Sequence, residues 1–207
     1  MYETKLVYLM SDTWSRPSAS ITTCPPHRNP SLISPPRFHR FRGPTSAAFL
    51  EWLTPSSLAS LSPYSSTLSV LLNEKGGIID DTVITKHSED AFYVVTNAGR
   101  RDRDLSWFTQ KMGEWNSDGK NSESGKVEME VLEGWGLLAL QGPEAAKYLQ
   151  TLTSFDLRSL TFGRSAFVPL EGFNLHVARG GYTGEDGFEV LFPSSPRPLA
   201  NTDVSYS

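Results

Sequence analysis

Two short segments carry side chains whose types and spacing could do chemistry. The first is Asn73-Glu74-Lys75-Gly76-Gly77-Ile78-Ile79-Asp80-Asp81, where two adjacent carboxylates follow a glycine turn and an apolar pair. Neighbours on a strand point to opposite faces, so one of Asp80 and Asp81 can face a pocket while the other faces water. A carboxylate held inside an apolar strand pair is costly unless partnered, and so has few purely structural reasons to exist. The plainer alternative is a turn-flanking pair with both carboxylates solvated. The second segment is Arg179-Gly180-Gly181-Tyr182-Thr183-Gly184-Glu185-Asp186-Gly187-Phe188-Glu189. Its glycines permit close backbone approach to a flat ligand, and its aromatic and acids could grip one. It lacks the Gly-Lys-Ser/Thr of a phosphate loop and the alternating acids of an EF-hand. A glycine-rich hairpin is the plainer alternative here.

Other arrays are set aside on physical grounds. Gly134-Trp135-Gly136-Leu137-Leu138-Ala139 fits a loose dinucleotide fingerprint, but it precedes an expected strand where the fingerprint must follow one. His87 and His176 stand alone without cysteine partners, which suits surface or core histidines better than metal ligands. No G-x-S-x-G elbow is present.

These candidates need strands to position them. Thr67 to Leu72 is apolar and β-branched, Asn73 to Gly77 is a turn, and Ile78 to Thr85 is the return strand. On that return strand, alternation puts Asp80 on the same face as Ile78. Asp90 to Asn97, Val127 to Leu132, Leu137 to Gln141, Ala166 to Leu170, Asn174 to Ala178 and Gly187 to Phe192 read as further strands. Arg37 to Arg42 is a weak one, because its aromatics are three apart. Helices are expected over 45–53, 103–115 and 143–152, with Asp102 or Asp104 as a cap for the second. Ser117 to Gly125 reads as a polar loop. Strands joined by turns point to an α+β fold, with antiparallel sheets and packed helices. An internal echo supports a pseudo-symmetric design. Gly43-Pro44 is followed by Ala47, Phe49, Leu50, Leu53 and Thr54, and Gly142-Pro143 by Ala146, Tyr148, Leu149, Leu152 and Thr153 at the same offsets. Such a duplication would leave a crevice between its halves.

The 207 residues suffice for one domain and its own core. Mean hydropathy is −0.32 and no apolar run is long enough for a membrane span. A single cysteine, Cys24, excludes a disulfide framework. The net charge of −4 argues against a nucleic-acid binder. The charge is uneven: residues 1–44 hold six of the 19 basic residues but only two acids, Glu3 and Asp12. They also hold seven of the 14 prolines. Residues 1–41 are therefore expected to be a loose tail. The tail is basic and serine-rich like a transit peptide, yet its prolines oppose the amphipathic helix that import needs.

Four motifs in order carry a resemblance to a known family. N-E-K-G-G-I-I-D-D, Y-V-V-T-N-A at 93–98, L-A-L-Q-G-P at 138–143 and G-Y-T-G-E-D-G-F-E at 181–189 are similar to the aminomethyltransferase, or T-protein, of the glycine cleavage system. The resemblance covers about residues 42–192, leaving 1–41 and a polar tail at 193–207 outside it. It implies a folate-binding domain of the T-protein type, incomplete here because full-length members continue further. It implies tetrahydrofolate as cofactor and a lipoylated H-protein as partner, which delivers an aminomethyl group whose one-carbon unit passes to tetrahydrofolate as ammonia leaves. It implies mitochondria if the source is a eukaryote. By the same resemblance, the acidic residue near the folate nitrogens matches Asp80, the pterin-side glutamate matches Glu189, the ring-packing tyrosine matches Tyr182, and the crevice-lining asparagine matches Asn97. The alternative is a non-catalytic folate-binding module related to iron–sulfur assembly factors. Those carry K-G-C-Y-x-G-Q-E where this chain has G-G-Y-T-G-E, and the missing cysteine argues against them. A flavin-linked demethylating dehydrogenase would need a long dinucleotide-binding domain, and none fits.

Overall fold

The computed structural model describes residues 5–9, 37–181 and 183–193. In chain order they form β1 (Lys5–Leu9), β2 (Arg37–Arg42), α1 (Ser46–Leu53), β3 (Ser65–Leu72), β4 (Ile78–Ser88), β5 (Ala91–Thr96), α2 (Arg101–Ser117), α3 (Gly119–Ser124), β6 (Glu128–Val131), β7 (Trp135–Gln141), α4 (Ala145–Gln150), β8 (Ser165–Leu170), β9 (Phe173–Arg179) and β10 (Gly187–Pro193). Short 3₁₀ turns cover Ala98–Arg100 and Leu157–Ser159. The chain divides into two compact units, with the break at residues 133–134 and β1 belonging to the later unit. Every strand pairing is antiparallel, so the expected α+β class holds.

In the earlier unit the sheet order is β3-β4-β5-β2-β6. Strand alternation decides its inner face. On β5, Phe92, Val94 and Thr96 are buried while Ala91, Tyr93 and Val95 between them are half-buried. Phe92 and Val94 join Phe41, Leu71 and Ile84 beneath the helices, against Phe49, Leu50 and Leu53 of α1 and Phe108 of α2. The Phe41 ring meets Phe108 edge-on at 5.0 Å and Phe49 at 5.8 Å, the tilted geometries that aromatic quadrupoles favour. Arg37–Arg42 is a full strand despite its spacing, because Phe38 and Phe41 point to opposite faces and both are buried.

The later unit has the order β1-β7-β10-β9-β8 and a separate core of Leu140, Leu149, Val168, Val177, Phe188 and Val190. Its topology repeats that of the earlier unit strand for strand, with β8-β9-β10-β7-β1 matching β3-β4-β5-β2-β6. The echo is also local. Gly43 and Gly142 sit at φ of 126° and 117°. Ser46 N donates to Gly43 O at 3.0 Å, and Ala145 N to Gly142 O at 2.9 Å. Gly43 N reaches Asp90 O at 2.9 Å, and Gly142 N reaches Asp186 O at 2.8 Å. Even the outermost register agrees: Arg42 pairs Glu128 at one site, and Gln141 pairs Lys5 at the other.

Three expectations change. Lys5–Leu9, inside the segment expected to be loose, is a strand along the edge of β7, because its backbone pairs in register from Lys5 opposite Gln141 to Leu9 opposite Leu137. The polar stretch expected to be a loop contains the six-residue helix α3, which follows α2 after Asp118 breaks the helical backbone with ψ of 124°. Neither Asp102 nor Asp104 caps α2. The cap position is Arg100 with no side-chain bond, and the two acids lie within the first turn. The segment over 10–36 lies outside the described residues.

Candidate functional site

The turn before Asp80 is built by Asn73. Its Oδ1 accepts from Lys75 N at 2.9 Å and Gly77 N at 3.0 Å, while Gly76 takes φ of 75°. Lys111 of α2 fastens this turn from below, with Nζ bonded to Glu74 Oε1 at 2.6 Å and to Glu114 Oε2 at 2.7 Å. The carboxylates of Glu114 and Glu74 raise the Lys111 ammonium above its ordinary range. The same Nζ lies 4.8 Å from the Trp107 ring centre.

A bulge follows. Leu72 pairs with Ile78 but Leu71 pairs with Asp80, so Ile79 is an extra residue on β4. The bulge breaks simple alternation: Ile78 is 66 % exposed, Ile79 joins the core, and Asp80 is 7 % exposed. The expectation that Asp80 shares a face with Ile78 therefore fails, although Asp80 is the buried carboxylate of the pair and Asp81 is exposed. Asp80 faces inward because it pairs with inward-facing Leu71.

Asn97 joins the two aspartates. Its backbone N donates to Asp80 Oδ2 at 3.1 Å, and its Nδ2 donates to Asp80 Oδ1 at 3.1 Å and to Asp81 Oδ1 at 2.8 Å. Each oxygen of Asp80 thus holds a donor, which fixes the carboxylate plane. Asp104 of α2 is 0 % exposed behind it and was missed as a site residue. The signal was available: Asp104, Phe108 and Lys111 recur at helical spacing and form the buried stripe of α2.

Glu189 and the glycine-rich hairpin belong to the later unit. Arg179 holds the hairpin's Asp186 in a paired grip, Nε to Oδ1 at 2.9 Å and Nη2 to Oδ2 at 2.7 Å, and donates Nη1 to Leu160 O at 2.9 Å. Gln141 is buried and organises the loop, with Nε2 on Gly180 O at 3.1 Å and Oε1 accepting from Thr183 Oγ1 at 3.2 Å. A Cβ at Gly181 or Gly187 would collide with the Gln141 amide. The close approach of the Gln141 amide thus requires glycine at two positions of the hairpin. Glu189 on β10 lies in register between Ala139 and Ala178. Among the described residues its carboxylate takes no hydrogen bond or ion pair, and burial pushes its carboxyl above the ordinary range. His176, on the same sheet face, is buried against Phe167 at 5.5 Å, and burial lowers its imidazole to about 4. Tyr182 lies outside the described residues. The structure brings Asp80, Asp81 and Asn97 together in one unit, with Glu189 in the other. Among the described residues, no group of three or more His, Cys, Asp or Glu could hold a metal ion, and no helix is long and apolar enough to cross a membrane.

Comparison with known proteins decides the family. The model of the GCVT N-terminal domain matches residues 35–199. The chain belongs to the GCVT family. This GCVT chain is 44% identical over 153 residues to the probable mitochondrial aminomethyltransferase of Schizosaccharomyces pombe, covering 73% of the chain and 37% of that protein. It is 40% identical over 190 residues to the mitochondrial aminomethyltransferase of Saccharomyces cerevisiae, covering 88% and 44%. It thus spans about two fifths of the length of these relatives. Among solved structures, it is similar to the glycine cleavage system aminomethyltransferase T from Bartonella henselae, with 32% identity, a TM-score of 0.64, and coverage of 77% and 40%. A heterotetrameric sarcosine oxidase from Corynebacterium sp. U-96 shares the GCVT fold, at 18% identity, a TM-score of 0.50, and coverage of 77% and 72%.

Proposed function

We propose that this chain is the folate-binding part of a glycine-cleavage aminomethyltransferase, which passes a one-carbon unit from an aminomethyl group on a lipoylated H-protein to tetrahydrofolate with release of ammonia. The observation that carries the reading is Asp80: a buried carboxylate, placed by a bulge and held on both oxygens by Asn97. Such a group orients an amine nucleophile and stabilises positive charge that develops as ammonia departs. The names of the yeast relatives support the same activity and a mitochondrial location.

The residues fit a folate. Glu189 offers a half-buried carboxylate with its acceptor sites unused by the described residues, suited to the paired N–H donors of a pterin ring. Flanking alanines add no donor of their own. Tyr182 is assigned to ring packing and Asn97 to a folate contact beside Asp80. Tetrahydrofolate, when bound, supplies the amine that accepts the one-carbon unit. Residues 42–192 form the folate-binding part in this reading, with 1–41 and 193–207 outside it.

Calorimetry tests the reading directly. The chain should give saturable binding of tetrahydrofolate, and Glu189→Gln should weaken it roughly tenfold, because a charge-assisted pair becomes a neutral one. Absence of saturable heat at millimolar folate, or copurification of a flavin, would count against it.

A further inference from the structure

Behind Asp80 stands a second carboxyl group that the roles above leave unused. Asp104, on the first turn of α2, is 0 % exposed, and neither of its carboxyl oxygens has a hydrogen bond of good geometry. An ionised carboxylate in that setting is heavily penalised. Its neighbours come from every element packed around it. Asp80 of β4 lies within hydrogen-bonding reach, the Thr96 hydroxyl flanks it at the end of β5, and Arg100 supplies positive charge from the preceding turn. His39 of β2 reaches Thr96 Oγ1 at 3.3 Å, and its ring lies 5.3 Å from Phe108, one turn along α2.

Two carboxylates in reach of each other repel when both are ionised. One proton between them converts that repulsion into a charge-assisted hydrogen bond. Both Asp80 oxygens already accept from Asn97, so Asp80 is anchored as an acceptor and Asp104 is the side chain with no partner. We propose that Asp104 is a positioning residue for Asp80, holding a proton and donating it to the Asp80 carboxylate so that the pair keeps one negative charge in one orientation. Burial first, and the neighbouring Asp80 second, push the Asp104 carboxyl up to about 7. The inference rests on the reading of Asp80 as the carboxylate at the reacting centre. No bond to substrate is made or broken by Asp104.

The sign of the pH dependence follows. A carboxyl whose folded pKa is raised from 3.8 stabilises the fold fully below that value, and the contribution is lost as pH rises through about 7. Above that point two charges face each other and the setting of Asp80 loosens.

Carbon-13 carboxyl NMR on the whole chain labelled at aspartate tests the pair without any ligand. One resonance should titrate near 7, vanish in Asp104→Asn, and move to lower pH by about a unit in Asp80→Asn, which removes the facing charge. The Asn97 side-chain amide signals should show the same midpoint in the unsubstituted chain and lose that midpoint in Asp104→Asn, whose amide still offers Asp80 a donor. If Asp104→Asn does not fold, Asp80→Asn carries the assignment. An Asp104 carboxyl titrating below about 5, or Asn97 signals indifferent to it, would overturn the proposal. Failure of the same sample to bind tetrahydrofolate would count against the functional reading, while the carboxyl titration decides the pair by itself.

Discussion

Asp80 and Asp81 are adjacent, share a hydrogen-bond donor in Asn97, and differ in burial. Their substitutions should therefore differ sharply. On the proposed function, Asp80→Asn in a completed version of the enzyme keeps shape but loses charge, and should lower ammonia release from an aminomethyl-loaded H-protein by roughly 10²-fold or more. Asp81→Asn should cost far less, and the opposite order would refute the role of Asp80. Gln141 invites a second test at this scale. It is wholly buried and bonded to both Gly180 O and Thr183. Gln141→Leu would leave those groups unpaired beside an apolar branch, a cost of about 1–3 kcal/mol in urea unfolding. Folate binding should weaken with it, since the hairpin leading into Glu189 would lose its anchor.

At the level of elements, the strand–turn–helix units at Gly43 and Gly142 are the recurring device. Each glycine leaves its strand at positive φ, and its carbonyl accepts from the first residue of the helix. Gly43 has a second constraint, since a Cβ there would overlap the Lys126 carbonyl oxygen. Gly43→Ala combines forbidden backbone with a main-chain clash and should destabilise by about 2 kcal/mol or more, measured by urea unfolding. Gly76 also has positive φ, but a Cβ there meets nothing. Gly76→Asn should be nearly neutral by the same measurement, because asparagine tolerates this backbone region. A result with the two costs equal would show that steric contact is irrelevant at Gly43.

On the scale of the whole molecule, each unit has a complete five-stranded antiparallel sheet and a core of its own. The earlier unit takes all five strands from one continuous stretch, whereas the later unit takes its outermost strand from Lys5–Leu9. A fragment of residues 35–133 should accordingly fold alone, with a cooperative thermal transition and dispersed amide signals. A broad, non-cooperative melt of that fragment would show that its core needs more than its own sheet and helices.

Local patterning was enough to read much of this protein from its residues. Apolar runs of period two and glycine-bearing turns marked the strands, and the Gly-Pro echo announced the duplication, because these features depend on near neighbours in the chain. The four ordered motifs likewise marked the family. Only the tertiary structure decided the rest. The bulge at Leu71–Leu72 overrode alternation and turned Asp80 inward while leaving Ile78 exposed, since register is a property of two strands and not of one. Gln141 reaches Gly180 O across 39 residues of chain and fills the space beside Gly181 and Gly187, a contact that no local pattern specifies. Asp104 looked like a helix cap from its position, yet it faces Asp80 because the packing of α2 on the sheet, which no local pattern specifies, set which side of its first turn is buried.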